Sequence, residues 1–482
     1  MNRSRSGCFK SKRSALDSGA IDRAGGGPLA IRIGNAAGFL GDNLDAPRLL
    51  AESGQLDYLT LEYLAELTLS ILARVREKNP QAGYAGDFLD VLKSLLPTLK
   101  EQPDLKIVTN AGGMNPAACA RAAAAILAQA GLGDVVIGIV SGDELLTDIP
   151  RLQAAGCKLE NLETGEPLNV EKLSLVSANA YLGAQPIVEA LQGGARIVIT
   201  GRVADASLTV GPAVHEFGWE WQDWNRLAAA SVAGHIIECG AQSTGGLYRH
   251  WENIDLGHVG YPIAELEKSG QVTITKPPGT GGVVNRETVI EQLLYEIGDP
   301  AHYLTPDVDV DFTTLEVREG EPDCVVVENA TGRTAPPSYK VSAAYRNGFA
   351  ASGQLLVCGR DAATKAQACG EMILFRLRTA GFKYDESLIE CLGTGVSAPG
   401  FKPTGEVREV MLRVSVRDQR RDAVERFTKE LAPLITSGPP GLAGYASGRS
   451  PVRPVFAYWP TLIHKELVTP RVEVKSASQW TN

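Results

Sequence analysis

The chain has 482 residues, of which 44% are hydrophobic and 21% charged. That is ordinary globular composition, and at about 150 residues per domain it gives two or three cores. The formal net charge of −9 argues against nucleic acid or an anionic membrane as the main partner.

Residues 1–28 are rich in Ser, Gly, Arg and Lys and lack the apolar centre of a secretory signal, so they read as a disordered tail. Ala30 to Asn35 (AIRIGN) reads as a short buried strand ending in a glycine-rich turn, and a helix starts near Ala46. Asp57 to Glu62 is a second strand, and Leu64 to Glu77 has apolar residues at helical spacing. Phe88 to Leu96 is an amphipathic helix that Pro97 is expected to stop. Strands follow at Lys106 to Asn110, Asp134 to Val140 and Arg196 to Thr200, with helices at Ala117 to Ala130 and Pro186 to Leu191.

Short strands that are apolar on both faces, alternating with helices, predict an α/β fold with a mostly parallel sheet covered by helices. The irregular spacing favours an open sheet over a barrel. Leu227 to Cys239 reads as a helix, Tyr248 to Thr305 as aromatic and loop-rich, and Asp307 to Val327 as β structure. Beyond about residue 340, VSAAYRNGF, GQLLVCGRD and Val410 to Val416 read as strands. Ala362 to Ala380 and Arg420 to Leu431 read as helices. The expected organisation is a ligand-binding α/β domain over 29–340, a smaller C-terminal α+β domain over 341–475, and a tail over 476–482. No apolar run nears the ~18 residues of a membrane span. The eight cysteines are scattered without a CxxC pair, which reads as reduced thiols in a cytoplasmic protein.

Function is signalled by position. Gly34 to Asp42, Thr109 to Asn115, Ser141 to Glu144 and Gly201 to Ser207 each directly follow a predicted strand. In open α/β sheets ligands bind outside the carboxyl ends of the strands. Carboxylates Asp42, Glu62, Asp143 and Asp205 fall on that edge, and two of them converging on one substrate would serve as acid and base. Asn35, Asn110, Gly112, Gly113, Asn115, Arg202 and Ser207 are the candidate substrate-binding residues. Gly112 and Gly113 allow close backbone approach, and the helix after them offers free N–H groups to an anion. Arg202 would pair with a carboxylate or a CoA-type phosphate.

Plainer readings stand beside these. Asn115 before Pro116 fits an N-cap with proline at the first helical position. Asp205 and Ser207 fit helix capping, and Arg202 fits a salt bridge to Asp205. His235, Glu238 and Cys239 share one helix face, which reads as a packed helix end rather than a metal site. The glycine-rich loops Pro277 to Gly282 and Ser437 to Gly441 fit either a lid or a rigid turn. The spacing of Gly34, Gly38 and Gly41 is not a dinucleotide fingerprint, and no Walker lysine or GxSxG elbow is present. No cofactor and no metal is expected.

Several of these stretches, in order along the chain, resemble the acyclic terpene utilisation (AtuA) family: IGNAAGFLGD, DYLTLEYLAE, TNAGGMNP, ANAYLGAQPIVEAL, TGRVADASLTVGP, HIIECGAQSTGG, PPGTGG, TSGPPG and YWPT. The resemblance runs from about residue 29 to about 470. It implies a role in breakdown of acyclic terpenes such as citronellol and geraniol, a route that works on branched acyl-CoA esters. It places Asn110, Gly112, Gly113, Asn115, Arg202, Asp205 and Ser207 in the family's characteristic loops. Asn43 stands where many relatives carry Arg. It also implies a small α/β partner subunit acting in trans.

The expected function is catabolic lyase or hydratase chemistry on a branched acyl-CoA or other anionic carboxylate substrate, in a homo-oligomer. The alternative is a non-catalytic acyl-CoA-binding or scaffold subunit of a catabolic complex. A cavity with convergent carboxylates favours the enzyme, and an exposed apolar groove favours the scaffold.

Overall fold

The computed structural model describes residues 28–481 except 399, 402 and 445–447. The tail expected over 1–28 lies outside the described residues but for Pro28. The chain divides into two compact units. The first comprises residues up to 168 with 176–343 and 459–482, and the second 169–175 with 344–458.

The early strands are β1 (Ala30–Asn35), β2 (Tyr58–Leu61), β3 (Lys106–Thr109), β4 (Val136–Ser141), β5 (Leu175–Ala180) and β6 (Ile197–Thr200). Then come β7 (Ile263–Glu267), β8 (Val272–Thr275), β9 (Tyr303–Leu304), β10 (Asp309–Asp311), β11 (Glu316–Glu319), β12 (Val325–Glu328) and β13 (Thr331–Arg333). The last are β14 (Ser338–Cys358), β15 (Glu386–Leu392), β16 (Glu409–Asp418), β17 (Leu442–Ala443), β18 (Arg453–His464) and β19 (Arg471–Ser476).

In the first unit ten strands form one sheet in the order β11-β12-β8-β7-β1-β2-β3-β6-β4-β19. Its centre, β1-β2-β3-β6-β4, is parallel. The flanks are antiparallel. The sheet is therefore mixed, which corrects the expectation of a mostly parallel one. Local chemistry explains the difference. β7 and β8 are joined by four residues that turn at Gly270, φ +96°, and a connection that short can pair strands only in opposite directions. This hairpin lies inside the stretch expected to be loop-rich.

The parallel centre is apolar on both faces, as burial requires. Helices of this unit include α1 (Ala46–Ser53), α2 (Glu66–Lys78), α3 (Asp87–Glu101), α4 (Pro116–Gln129), α5 (Ile149–Ala154), α6 (Gln185–Gln192), α7 (Ser207–Phe217), α8 (Trp224–Ile237) and α9 (Arg286–Leu294). Phe88, Leu92 and Leu95 of α3 and Cys119, Ala123 and Leu127 of α4 pack with Leu59, Ile107, Ile137 and Ile197 of the sheet. Each fully buried Leu or Ile contributes about 1.5–3 kcal/mol. Helix α7 packs on β1 and β2, and α8 on β7 and β8. Pro97 does not stop α3, which continues to Glu101. Buried Thr98 and Leu99 hold the turn after the proline against the core.

The chain's last segment departs from expectation as well. β19 pairs with β4 along six residues. Trp480, read as part of a tail, is buried, and its ring N–H donates to the Ile137 carbonyl at 3.2 Å. The second unit is a smaller α+β body. Its sheet order is β15-β16-β14-β17, and α10 (Ala362–Thr379) and α11 (Arg421–Phe427) are its longer helices. Leu355, Ile373, Leu377, Leu412, Val414 and Phe427 form its core. Among the described residues, no helix is long and apolar enough to cross a membrane. Six cysteines, Cys119, Cys157, Cys239, Cys358, Cys369 and Cys391, are free thiols.

Candidate functional site

A cavity of about 740 Å³ lies in the first unit beyond the carboxyl ends of β1, β2 and β6. The residues after those strands line it: Gly38 and Phe39, then Glu62 and Leu64 to Glu66, then Arg202, Ala204 and Asp205. Tyr181 enters from the end of β5, and Glu238 and Cys239 from the end of α8. Tyr303, Glu296 and Lys340 close the wall.

Glu62 is the buried acid at the end of β2. Its Oε1 accepts from the Leu64 backbone N–H at 2.8 Å, and its Oε2 accepts from the Asn110 side-chain amide. Asn110 is itself fixed, because its Oδ1 accepts from the Tyr63 N–H at 2.8 Å. Arg202 Nη1 lies 3.6 Å from Glu62 Oε1. Burial, reinforced by the nearby Asp205 carboxylate, holds the Glu62 pKa well above the ordinary value. The Arg202 guanidinium and the Asn110 hydrogen bond oppose that shift without reversing it. Desolvation disfavours the charged form of any carboxyl, so Glu62 retains its proton at pH values where an exposed glutamate has lost it.

Arg202 is almost fully buried. Its Nη1 donates to the Leu64 carbonyl and to Asp205 Oδ1, the latter at 2.8 Å. Its guanidinium lies 4.1 Å over the Tyr181 ring, a cation–π contact. The salt bridge to Asp205 is the plainer of the two sequence readings for this arginine. Tyr181 donates its hydroxyl to Glu66, and Lys340 Nζ sits 3.1 Å from the same carboxylate. Burial would raise the Glu66 pKa, but these partners outweigh it and bring it down to about 2.

A second acidic group faces the same cavity. Glu238 Oε1 lies 3.0 Å from His235 Nδ1. Burial raises the Glu238 pKa, against the pull of His235. Burial would lower that of His235, but Glu238 reverses the direction and leaves it raised. The imidazole packs beside Tyr303 and Phe312, with ring centroids 5.3 and 5.5 Å away. Among the described residues, no group of three or more His, Cys, Asp or Glu is arranged to hold a metal ion.

The cavity's rim is apolar. Phe39, Leu304 and Leu462 line it and are at least half exposed, and Pro306, Pro336 and Pro337 lie beside them. An apolar wall with a few convergent polar groups is the usual make-up of a small-molecule site.

The structure sorts the sequence candidates. Glu62, Arg202 and Asp205 line the cavity, with Asn110 directly behind Glu62. The others hold the frame. Asn35 Nδ2 donates to the carbonyls of Ile237 and Glu238 at 2.7 and 2.8 Å. Asp42 accepts from the Gly38 N–H and the Tyr261 hydroxyl, both at 2.8 Å. Asn115 caps α4 and donates to Pro80 and Ala82 carbonyls. Ser207 donates to Asp307 at 2.6 Å. A Cβ on Gly112 would stand 2.5 Å from the Thr200 carbonyl oxygen, so this glycine serves close packing. Gly113, φ +51°, and Asp143 line a separate cavity of about 370 Å³. The two glycine-rich loops do not line the main cavity: Gly282 N–H donates to the Asp255 carbonyl at 2.9 Å, and the Gly441 carbonyl accepts from Cys358 at 2.8 Å.

Sequence reasoning missed Glu66, Tyr181, Glu238, Tyr303 and Lys340 as lining residues. A signal existed for Glu66, which follows Glu62 by four residues at the start of α2, and for Glu238, paired by spacing with His235. Tyr303 and Lys340 come from distant segments with no motif around them.

The model of the acyclic terpene utilisation family protein AtuA matches residues 31–474. The chain belongs to the AtuA family. The match spans both units of this AtuA-family chain and every residue of the cavity. No curated protein and no solved structure matched it.

Proposed function

We propose that the main cavity is the active site of an acid–base enzyme of acyclic branched-chain breakdown, of lyase or hydratase type, acting on a branched acyl ester. Membership of the AtuA family supports the pathway. The observation that carries the chemistry is Glu62, a buried carboxyl beside Asp205 at the floor of a cavity with an apolar rim.

Adding water across the Cα=Cβ bond of an acyl group needs a proton for Cα and a base for the water. Glu62 supplies the proton to Cα. Asp205 takes the proton of the water whose oxygen bonds to Cβ, and Arg202 fixes its carboxylate. The reverse sequence expels water. Positioned acid–base groups of this kind contribute about 10²–10⁴-fold in rate. The exposed apolar rim receives the branched chain.

The test incubates the protein with branched acyl thioesters, saturated, 2-enoyl and 3-hydroxy, in ¹⁸O-labelled water. Mass spectrometry then follows label entering the hydrated product of the 2-enoyl substrate or exchanging into the hydroxyl of the 3-hydroxy one. Label transfer that Glu62→Gln slows by about 10²–10⁴-fold is the expected result. Binding without turnover by the wild type would return the protein to the role of a binding subunit.

A further inference from the structure

The cavity holds more negative groups than positive ones. Glu62, Glu66, Asp205, Glu238 and Glu296 line it, against Arg202 and Lys340. Both cations are already engaged. Arg202 lies 2.8 Å from Asp205, and Lys340 lies 3.1 Å from Glu66. Both also sit over the Tyr181 ring, at 4.1 and 4.9 Å. Of the cations just outside the lining, His235 is paired with Glu238, and Lys465 Nζ donates to the Pro306 carbonyl at 2.7 Å. Even with Glu62 left out, four acidic side chains line the cavity against two basic ones. A ligand carboxylate would add a negative charge to a space already rich in acidic groups, whose lining cations Arg202 and Lys340 are held by Asp205 and Glu66. Uncompensated like charge is costly in such a site.

We infer that the cavity selects a branched aliphatic ligand whose carboxyl group is masked as a neutral ester or thioester, and rejects the corresponding free acid. This rests on the proposed reading that the cavity receives a branched acyl chain. It departs from the expectation that Arg202 holds an anionic end of the substrate. The engaged state of Arg202 and Lys340 is thus a specificity device. Asp205 and Glu66 each occupy a cation that would otherwise attract a free carboxylate.

Calorimetric titration at pH 7.5 tests this with a branched ten-carbon acid, its methyl ester and its primary amide. The ester and amide are expected to bind at least about tenfold more tightly than the acid, a difference of ~1.4 kcal/mol. Asp205→Asn releases Arg202 and is expected to narrow that ratio by about tenfold. Glu66→Gln, which releases Lys340 instead, is expected to act in the same direction and serves if the first variant does not fold. Wild-type binding of the acid as tight as that of the ester overturns the inference alone, and so does an unchanged ratio in the folded variants. Failure of all three compounds to bind overturns the proposed branched-acyl site and the inference with it.

Discussion

Arg202 Nη1 lies 2.8 Å from Asp205 Oδ1, three residues further along the same loop. The pairing fixes the direction of both side chains inside a buried space, because Arg202 has little other room. It leaves Glu62, 3.6 Å from the same nitrogen, in the field of a cation already shared with Asp205. Burial, with the Asp205 carboxylate nearby, raises the Glu62 pKa against the pull of that cation.

Glu62→Gln removes the proton source and keeps the side chain's size. Turnover is expected to fall by about 10²–10⁴-fold with little change in melting temperature. The pH profile carries a sign. The Glu62 pKa is raised, so an acid acting through it works below that pKa. Hydration is therefore expected to decline as pH rises through that value, and the surviving activity of Glu62→Gln is expected to lack this limb. Initial rates across pH, with circular dichroism as the fold control, check both points.

Asn110→Ala leaves Glu62 Oε2 and the Tyr63 N–H without their partner. An abandoned buried polar group costs about 1–3 kcal/mol. Stability is expected to fall by that order, and turnover to fall more than substrate affinity, because Glu62 is misplaced rather than removed. Urea denaturation and a separate reading of kcat and KM distinguish the two effects.

Asp143 is buried, and burial pushes its pKa up to about 6 despite hydrogen bonds from the Arg202 N–H and Asn179. The unfolded chain releases this proton near pH ~3.9. Between those values the folded state binds the proton and the unfolded state does not, so stability falls as pH rises through the window. The contribution is about 3 kcal/mol between pH ~4 and ~6. Asp143→Asn is expected to flatten that part of the stability curve, as measured by urea denaturation at several pH values.

Gly112→Ala would place a methyl 2.5 Å from the Thr200 carbonyl oxygen and 2.9 Å from Pro116 Cα. Both are backbone atoms that cannot turn aside. A loss of about 1–3 kcal/mol is expected. Gly86→Ala, whose methyl meets nothing within 4 Å, is expected to cost much less. Thermal melts of the two variants compare them directly.

Much of this architecture was legible in the residues. The five parallel strands are short apolar runs, and their observed ends fall within two residues of those expected. Helix α4 begins at Pro116 behind the Asn115 cap, as its local chemistry demands. β5 was missed because Ser177 and Asn179 interrupt its apolar run. The β7–β8 hairpin and β19 were missed because nothing local tells a strand which sheet edge it will join. The site was half legible for the same reason. Glu62, Arg202 and Asp205 follow strands and so were in view. Asn35, Asp42, Asn115 and Ser207 have the same residue types in the same kind of loop, yet their hydrogen bonds turn inward to the frame. Only three-dimensional placement separates a ligand-facing amide or carboxylate from a bracing one.

In the proposed reaction Glu62 delivers a proton to the α-carbon of a branched acyl ester. Deuterium wash-in at that carbon, followed by mass spectrometry of a branched 3-hydroxyacyl thioester incubated with the protein in D₂O, tests it most directly. The predicted result is exchange catalysed by the wild type and reduced at least about 10²-fold in folded Glu62→Gln. Exchange at the wild-type rate in that variant would contradict it.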